Sequence, residues 1–264
     1  MSSRKILILV LAINKNPWRR IEVEGQDPTW MVQCSDNQRI LRYTGITPQG
    51  FRWRLINRAW VWNQKIRNIS HGMIRLFSIN PIVNRSDFST PKVDFSKHEI
   101  STNVPDLYSL IGEKTLDVFQ TCIQEFEFDY IFRTNVSSYV DLPRLNEFIR
   151  HRPLTNYYAG VIGEYQGISF ASGCGYFISR DVVEKVLKNR DSWDHNLIDD
   201  VSLGKLVTRS LQINIEEVGR IDIDSVDDVS SKVAGGNCGI FHYRCKAGNA
   251  DTTIKIMNLI HELV

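Results

Sequence analysis

Residues 128–145 read Phe128-Asp-Tyr-Ile-Phe-Arg-Thr-Asn-Val-Ser-Ser-Tyr-Val-Asp-Leu-Pro-Arg-Leu145. The apolar run that ends at Phe132 predicts a short buried strand. Pro143 predicts the first turn of a helix that continues to about residue 150, because proline is tolerated at that position. The polar residues 133–138 therefore lie just beyond the carboxyl end of a strand, where open α/β sheets bind their ligands.

A second buried strand is predicted near the start of the chain. Ile6 to Ile13 is an unbroken run of leucine, alanine and β-branched residues, which is typical of a central strand covered on both faces. Apolar periodicity predicts further strands at 39–43, 73–77, 157–162, 168–170, 174–178 and 212–218. It predicts helices at 51–69, 107–123, 180–188, 199–209 and 252–263. This alternation predicts an α/β fold in which helices flank a mixed, mainly parallel sheet.

The chain shows no internal boundary. Residues 79–106 contain three prolines and no apolar period, which predicts a loop long enough to be functional. Ser179 is predicted to cap the helix that begins at Arg180. Because no repeat, low-complexity tract or linker interrupts the sequence, we expect a single domain over residues 1–264.

Composition narrows the class of protein. The 264 residues are 42% hydrophobic and 23% charged, which is typical of a globular protein. A net charge of +2 gives no reason to expect nucleic acid or an anionic membrane as a partner. The five cysteines form no CxxC pair, so a reducing compartment is favoured, with a Cys238–Cys245 disulfide as the minor alternative. The apolar run at 6–13 is too short to span a bilayer and lacks a signal-peptide cleavage site, so we expect a cytoplasmic protein.

The segment 128–145 resembles the region around the metal-binding motif of GT-A glycosyltransferases, particularly the β-1,3-galactosyltransferase and Fringe-like group. Further blocks of the chain are similar to that group and stand in the same order: Thr29-Trp30, Tyr108 to Leu116, Tyr157 to Gly160, Ala171 to Asp181, and Asp199-Asp200-Val201 with Gly204. The resemblance implies a GT-A (Rossmann-like) domain. It also implies a nucleotide-diphosphate sugar donor, with a UDP-sugar favoured, and a glycan or lipid-linked acceptor.

The chain departs from that group at its metal-binding motif. Asn135-Val136-Ser137 stands where the group has an acidic triplet that holds a divalent cation against the donor diphosphate. Neutral amide and hydroxyl groups are poor ligands for a hard dication. We therefore expect metal-independent chemistry without a cofactor, with retention of Mn²⁺ or Mg²⁺ as the alternative.

Cationic side chains could replace the metal ion at the donor diphosphate. If residues 241–246 are extended, then His242, Arg244 and Lys246 project to one side and could clamp a diphosphate. A polar outer face of an edge strand is an equal alternative. The other predicted donor-binding residues are Asn14, Lys114, Arg133, Asn135, Ser137 and Ser138. For Lys114, an exposed helix lysine is the alternative.

The adjacent carboxylates Asp199 and Asp200 are the predicted catalytic residues. Inverting transfer needs a carboxylate that takes the proton from the acceptor hydroxyl. By residue type alone, the favoured interpretation is that both are simple caps of a helix start, stabilised by the helix dipole. The resemblance favours Asp200 as the base, with Asp199 second.

The acceptor is predicted to lie near Ser172, Gly173, Cys174 and Gly175, because glycine lets the backbone approach a sugar closely. A tight turn with a bulge is the alternative. Trp193 is predicted to stack on an acceptor sugar, whereas Trp53, Trp60 and Trp62 are predicted to be core residues. We expect an inverting, metal-independent hexosyltransferase. The alternatives are a degenerate protein that binds a nucleotide sugar or glycan without turnover, and a structural α/β interaction domain.

Overall fold

The computed structural model describes residues 3–48, 55, 58, 90–234 and 239–264. Within these residues the strands are β1 Ile6–Leu11, β2 Gln38–Ile46, β3 Lys92–Asp94, β4 Glu99–Pro105, β5 Tyr130–Asn135, β6 Ser138–Val140, β7 Tyr158–Tyr165, β8 Ile168–Ser179, β9 Ile215–Glu217, β10 Ile221–Ile223 and β11 His242–Cys245. The α-helices are α1 Trp18–Ile21, α2 Ile111–Glu125, α3 Leu142–Ile149, α4 Arg180–Lys188, α5 Asp199–Lys205, α6 Asp228–Ala234 and α7 Ala250–Leu263. None of the described helices has the length and apolar character that a bilayer span requires.

The main sheet has the strand order β3-β4-β2-β1-β5-β8-β7-β9. Its centre, β4-β2-β1-β5, is parallel throughout, and β9 is parallel to β7. Strand β3 is antiparallel to β4, and β8 is antiparallel to both β5 and β7. The expected α/β fold with a mixed, mainly parallel sheet is therefore confirmed.

Strand β1 shows why this sheet is covered on both faces. Successive side chains of a strand point to opposite faces. Ile6, Ile8 and Val10 belong to one buried cluster, whereas Leu7 and Leu9 belong to another. The continuous apolar run thus supplies two cores, one on each side of the sheet.

The helices complete these two cores. Helix α2 packs Leu116 and Phe119 into the cluster that contains Leu7, and α4 adds Val182 to it. On the other face, α3 and α7 bury Leu145 and Met257 with Ile8. The apolar side chains of these four helices therefore pack against the two faces of the sheet.

A smaller sheet has the strand order β10-β11-β6. Strand β11 is parallel to β10 and antiparallel to β6. Tyr139, Tyr243 and Ile223 are buried in the core that contains Ile8. On β11, His242 and Arg244 alternate with Tyr243 and therefore face away from this core.

Strand β8 differs most from its prediction. The sequence predicted two strands separated at 171–173, but one strand runs through Ile168–Ser179. The register with β7 shifts between Ala171 and Tyr176, so that residues 172–175 stand opposite the single residue Val161. Such a bulge bends a strand and redirects its backbone groups.

Other predictions need correction. Part of the predicted loop 79–106 forms β3 and β4. Ser179 does not cap α4 through its side chain, because its hydroxyl donates to Asp181 instead. Some predictions fall outside the described residues. They concern the strand at 73–77, the helix at 51–69 apart from two helical residues, the three tryptophans assigned to that helix, and Cys238.

Candidate functional site

The carboxyl edge of the parallel strands carries the first cluster of charged side chains. Arg133 lies on β5, and its side chain is only 4% exposed. Its Nε donates to the Tyr43 hydroxyl over 3.0 Å, and its Nη2 donates to Asp199 Oδ2 over 3.0 Å. The backbone of Gly173 lies against the same guanidinium, since a Cβ there would stand 2.8 Å from Nη1. We call Arg133, Gly173, Asp199 and Asp200 the acidic corner.

Asp200 is the second carboxylate of this corner. Its Oδ2 accepts a hydrogen bond from the Gly173 amide over 2.7 Å, and its Oδ1 accepts one from Val201 over 2.9 Å. Burial and the negative charge of Asp199 together raise the pKa of Asp200 to about 6, against the opposing effects of these hydrogen bonds and of Arg133. A carboxylate with a pKa near neutrality is suited to proton transfer.

The helix-cap alternative for these carboxylates describes part of this structure. Helix α5 begins at Asp199, and its N-cap residue Ile198 makes no capping hydrogen bond through its side chain. Asp199 is held by Arg133, whereas Asp200 accepts the Val201 amide within the first turn. Both carboxylates thus lie in the first turn, and Asp200 also satisfies one of its free amides.

Tyr108 joins the acidic corner from the turn that precedes α2. Burial raises the pKa of its phenol, and the negative charges of Asp199 and Asp200 raise it further. The half-exposed phenol therefore lies within electrostatic range of both carboxylates. The sequence showed Tyr108 only as the first residue of a family-like block, without a signal for this position.

Lys114 is not an exposed helix lysine. Its side chain is 2% exposed and forms an ion pair with Asp106, which also accepts the Gly45 amide over 3.0 Å. Burial lowers the pKa of Lys114 against the attraction of Asp106. Arg133 is close enough to lower it further. Lys114 thus stands beside the acidic corner with a carboxylate partner of its own.

The turn that replaces the acidic triplet is closed by its own hydrogen bonds. Asn135 Oδ1 accepts from the Ser137 amide over 3.1 Å and from the hydroxyls of Ser137 and Ser138 over 2.9 and 3.3 Å. Gln26 fixes the turn from outside by donating to the Asn135 and Ser138 carbonyls. Because the turn offers no carboxylate and its amide oxygen is occupied, these residues do not fit a hard divalent cation.

The small sheet presents a polar face beside this turn. Asp222 stands opposite Arg244 in the β10–β11 register, and Arg244 stands opposite Ser138 in the β11–β6 register. Arg220 and His242 lie two residues before Asp222 and Arg244, which puts them on the same side. We call Ser138, Arg220, Asp222, His242 and Arg244 the basic face.

His242 is the innermost residue of the basic face. It is 3% exposed, and its Nε2 lies 3.1 Å from the Ser138 hydroxyl and 3.4 Å from that of Thr134. Burial lowers the pKa of His242 well below its usual range, and the charges of Arg220 and Arg244 lower it further. The ring is therefore neutral at pH 7, so it supplies a hydrogen-bonding group and no positive charge.

The predicted common side of β11 is found for two of its three residues. His242 and Arg244 share the basic face. Lys246 is exposed and follows the end of β11, where its backbone amide donates to the Ile223 carbonyl. Sequence reasoning missed Arg220 and Asp222, although the alternation of polar and apolar residues at 220–223 is a strand signal that could have revealed them.

The bulge at residues 172–175 connects the acidic corner to the basic face. Ser172 Oγ accepts from Arg220 over 3.2 Å, and the Gly173 amide donates to Asp200. The Cys174 carbonyl accepts from the hydroxyls of Thr134 and Ser138 over 2.9 and 3.5 Å. Gly175 lies under the His242 ring, where a Cβ would stand 2.2 Å from Cε1. The predicted need for small residues thus arises from the packing of the protein's own side chains.

Two further predicted residues lie apart from this network. Trp193 is 4% exposed and packs against Gly112, so the expectation that it offers an open face to a sugar is corrected. Asn14 is exposed in the bend after β1. Leu11, the last residue of β1, pairs with Asn135, so Asn14 lies at the same edge of the sheet as the turn.

No group of three or more metal-ligating side chains converges within residues 3–48, 90–234 and 239–264. No protein-family model matches the chain, and no curated protein matches its sequence.

Among solved structures, the chain is similar to a glycosyltransferase involved in the glycosylation of the major capsid of PBCV-1, with 10% identity and a TM-score of 0.41 over 97% of this chain and 99% of that chain. It is also similar to the inositol-1-phosphate CTP transferase from T. maritima, with 11% identity and a TM-score of 0.42 over 100% of this chain and 98% of that chain. At TM-scores this low, neither likeness tells what this chain binds or transfers.

Proposed function

We propose that this chain is an inverting glycosyltransferase that moves a hexose from a nucleotide-diphosphate sugar, with a UDP-sugar favoured, to a hydroxyl group of a glycan or lipid-linked acceptor. The observation that carries the proposal is the environment of Asp200. Its carboxyl is partly buried, oriented by the Gly173 amide, and has its pKa raised to about 6 by burial and by Asp199. It is ionised at pH 7 and still basic enough to accept a proton.

In the proposed reaction, Asp200 takes the proton of the acceptor hydroxyl as its oxygen attacks the anomeric carbon. The bond from that carbon to the phosphate oxygen of the donor breaks, and the nucleoside diphosphate leaves with the electron pair. Attack opposite the leaving group inverts the anomeric configuration. Arg133 keeps Asp199 ion-paired, which limits the repulsion between the adjacent carboxylates.

The developing charge on the leaving diphosphate needs stabilisation. The turn at residues 135–138 does not fit a divalent cation, so the proposal assigns this role to cationic side chains and backbone amides. Transfer is therefore proposed to be independent of Mn²⁺ and Mg²⁺. The basic face supplies guanidinium groups beside the 172–175 bulge, where Arg220 donates to Ser172 and the Gly173 amide orients Asp200.

A sugar-binding protein without turnover is the second candidate. One observation favours it: both oxygens of Asp200 already accept a backbone hydrogen bond. An acceptor hydroxyl must then share one of these oxygens. This candidate predicts donor binding that Asp200→Asn leaves unchanged and no transfer in either protein.

The test is a screen of common nucleotide sugars in excess EDTA, in which melting temperature reports binding, and release of nucleoside diphosphate reports transfer or hydrolysis. We expect one donor to raise the melting temperature and to be consumed without added metal. Asp200→Asn should retain donor binding and lose at least about 100-fold in rate, as for removal of a general base. Binding without turnover would establish the second candidate, and the absence of both would end the proposal.

A further inference from the structure

The basic face carries more positive than negative charge. Arg220 Nε donates to Asp222 Oδ1 over 2.6 Å, and Arg220 Nη2 lies 3.3 Å from Asp222 Oδ2. Arg244 Nη1 lies 3.8 Å from the same Oδ2. One carboxylate thus serves two guanidiniums. Since burial keeps His242 neutral, these groups leave a net charge of about +1 on the face.

The two guanidiniums differ in how firmly they are held. The Arg220 side chain is 8% exposed and is anchored by Ser172 as well as by Asp222. The Arg244 side chain is 28% exposed, and within the described residues its buried Nε has no hydrogen-bond partner. Buried donors without a partner are rare in proteins, and each is a candidate position for a ligand atom.

Asp222 is the most exposed of the three, at 37% of its side chain. It approaches Arg220 with both oxygens, in the forked geometry with which a guanidinium binds a carboxylate or a phosphate. A phosphate oxygen that reached this position would find the same donors. It would also lie beside Arg244, whose Nη1 is 3.8 Å from Asp222 Oδ2.

The position of the pair relative to the acidic corner points to the ligand. Arg220 binds Ser172, and the next residue, Gly173, binds Asp200. A phosphate at the arginines and a sugar carbon near Asp200 would therefore adjoin the same two-residue segment. A diphosphate-linked sugar needs a phosphate subsite and a sugar subsite that are neighbours in this way.

We propose that Arg220 and Arg244 form a phosphate-binding site for the diphosphate of the donor, and that Asp222 is an internal competitor whose carboxylate the phosphate displaces. This inference rests on the proposed function for the identity of the donor. Its chemistry, however, concerns the diphosphate alone. Inorganic pyrophosphate is therefore a sufficient probe, and its binding can be measured whether or not the protein transfers a sugar.

The experiment is titration calorimetry of the full chain with inorganic pyrophosphate in EDTA at constant ionic strength. Arg244→Gln should weaken binding about tenfold or more, because a charge-assisted hydrogen bond is lost. Asp222→Asn should strengthen binding about fivefold, because the competing charge is removed while the shape is kept. Arg150→Gln is the matched control, since Arg150 is 58% exposed and pairs with Glu147 far from this face in sequence.

The two variants should change the affinity for pyrophosphate in opposite directions. This result would distinguish a specific site from general electrostatic attraction and from loss of folding. Arg220→Gln is a further variant, but its buried position makes it the one most prone to misfold. Unchanged affinity in both Arg244→Gln and Asp222→Asn, or no pyrophosphate binding by the wild type, would overturn the site. Pyrophosphate binding with the expected signs but no sugar transfer would leave the site standing and refute the transferase. Sugar transfer by the wild type, together with pyrophosphate affinities that neither variant alters, would support the transferase and overturn the site.

Discussion

The acidic corner and the basic face differ in how their charges are balanced. In the acidic corner, Arg133 and Asp199 are 4% and 10% exposed and pair with each other, whereas the second carboxylate, Asp200, is held by backbone amides. In the basic face, Arg244 and Asp222 are 28% and 37% exposed, and one carboxylate serves two cations. Buried one-to-one pairs fix geometry, because removal of either partner leaves an uncompensated charge. Open, unequal clusters can exchange a partner for a ligand. The acidic corner is thus suited to orienting groups, and the basic face is suited to binding a ligand.

Removal of Arg133 tests the acidic corner most severely. We expect Arg133→Met to lower the free energy of unfolding by about 3–5 kcal/mol, because it leaves the Asp199 carboxylate without its cation and the Tyr43 hydroxyl without its donor. Urea denaturation followed by circular dichroism measures the change. Arg150→Met, on an exposed arginine, should stay within about 0.5 kcal/mol of the wild type. A comparable loss in the two variants would remove the distinction.

The raised pKa of Asp200 predicts that the free energy of unfolding depends on pH. Its value of about 6 lies above the ordinary value of 3.8, so the folded protein holds a proton that the unfolded chain releases between these values. Stability from this group is therefore greatest at low pH and is lost as pH rises through 6. The loss is at most about 3 kcal/mol, the equivalent of a shift of about two pKa units.

His242 acts in the opposite direction, because its lowered pKa makes the folded protein lose stability as pH falls below about 6.5. The pH profile of wild-type stability alone does not separate the effects of the two groups. The difference in free energy of unfolding between the wild type and Asp200→Asn, measured across pH, separates them. We expect Asp200→Asn to become more stable relative to the wild type as pH rises from 4 to 7. A flat difference would mean that the pKa of Asp200 is not raised.

Gly175 tests the connection between the two regions. A Cβ there would stand 2.2 and 2.4 Å from Cε1 and Nδ1 of His242, whose buried ring is also packed edge-on against Phe132. We expect Gly175→Ala to cost about 1–3 kcal/mol, as for overpacking of a core. Gly248→Ala is the control, since nothing lies within 4 Å of its Cβ position. Thermal unfolding of both variants compares them, and equal melting temperatures would mean that the ring can move aside.

The parts of the fold that were predictable from the sequence have strong local patterns. The run at Ile6–Leu11 and the amphipathic helices α2, α4 and α7 depend on side-chain periodicity, which the sequence displays directly. Strands β6 and β10 have three residues each, too few for a period to be recognised. The bulge in β8 depends on its register with β7, which is a property of two distant segments.

The candidate site was likewise predictable from the sequence only in part. Asp200 could be named from the sequence because it stands in a family-like block, but the source of its raised pKa could not. The Arg133–Asp199 pair joins residues 66 positions apart, and Arg220 reaches Ser172 across 48. The burial of Trp193 against Gly112 was hidden because the surrounding sequence is polar. Pairings set by tertiary contact leave no local signal, so these contacts required the structure.

The weakest expected effect on stability is that of Asp222→Asn, and it is the one that bears most on the basic face. Its ion pairs are partly exposed, and such pairs contribute up to about 1 kcal/mol. Asp106→Asn is the same substitution in the buried pair with Lys114, where the loss should be about 3 kcal/mol. Urea denaturation of both variants at pH 7 compares them directly. If Asp222→Asn costs as much as Asp106→Asn, then Asp222 holds the fold together. A phosphate could not then displace its carboxylate without unfolding the small sheet.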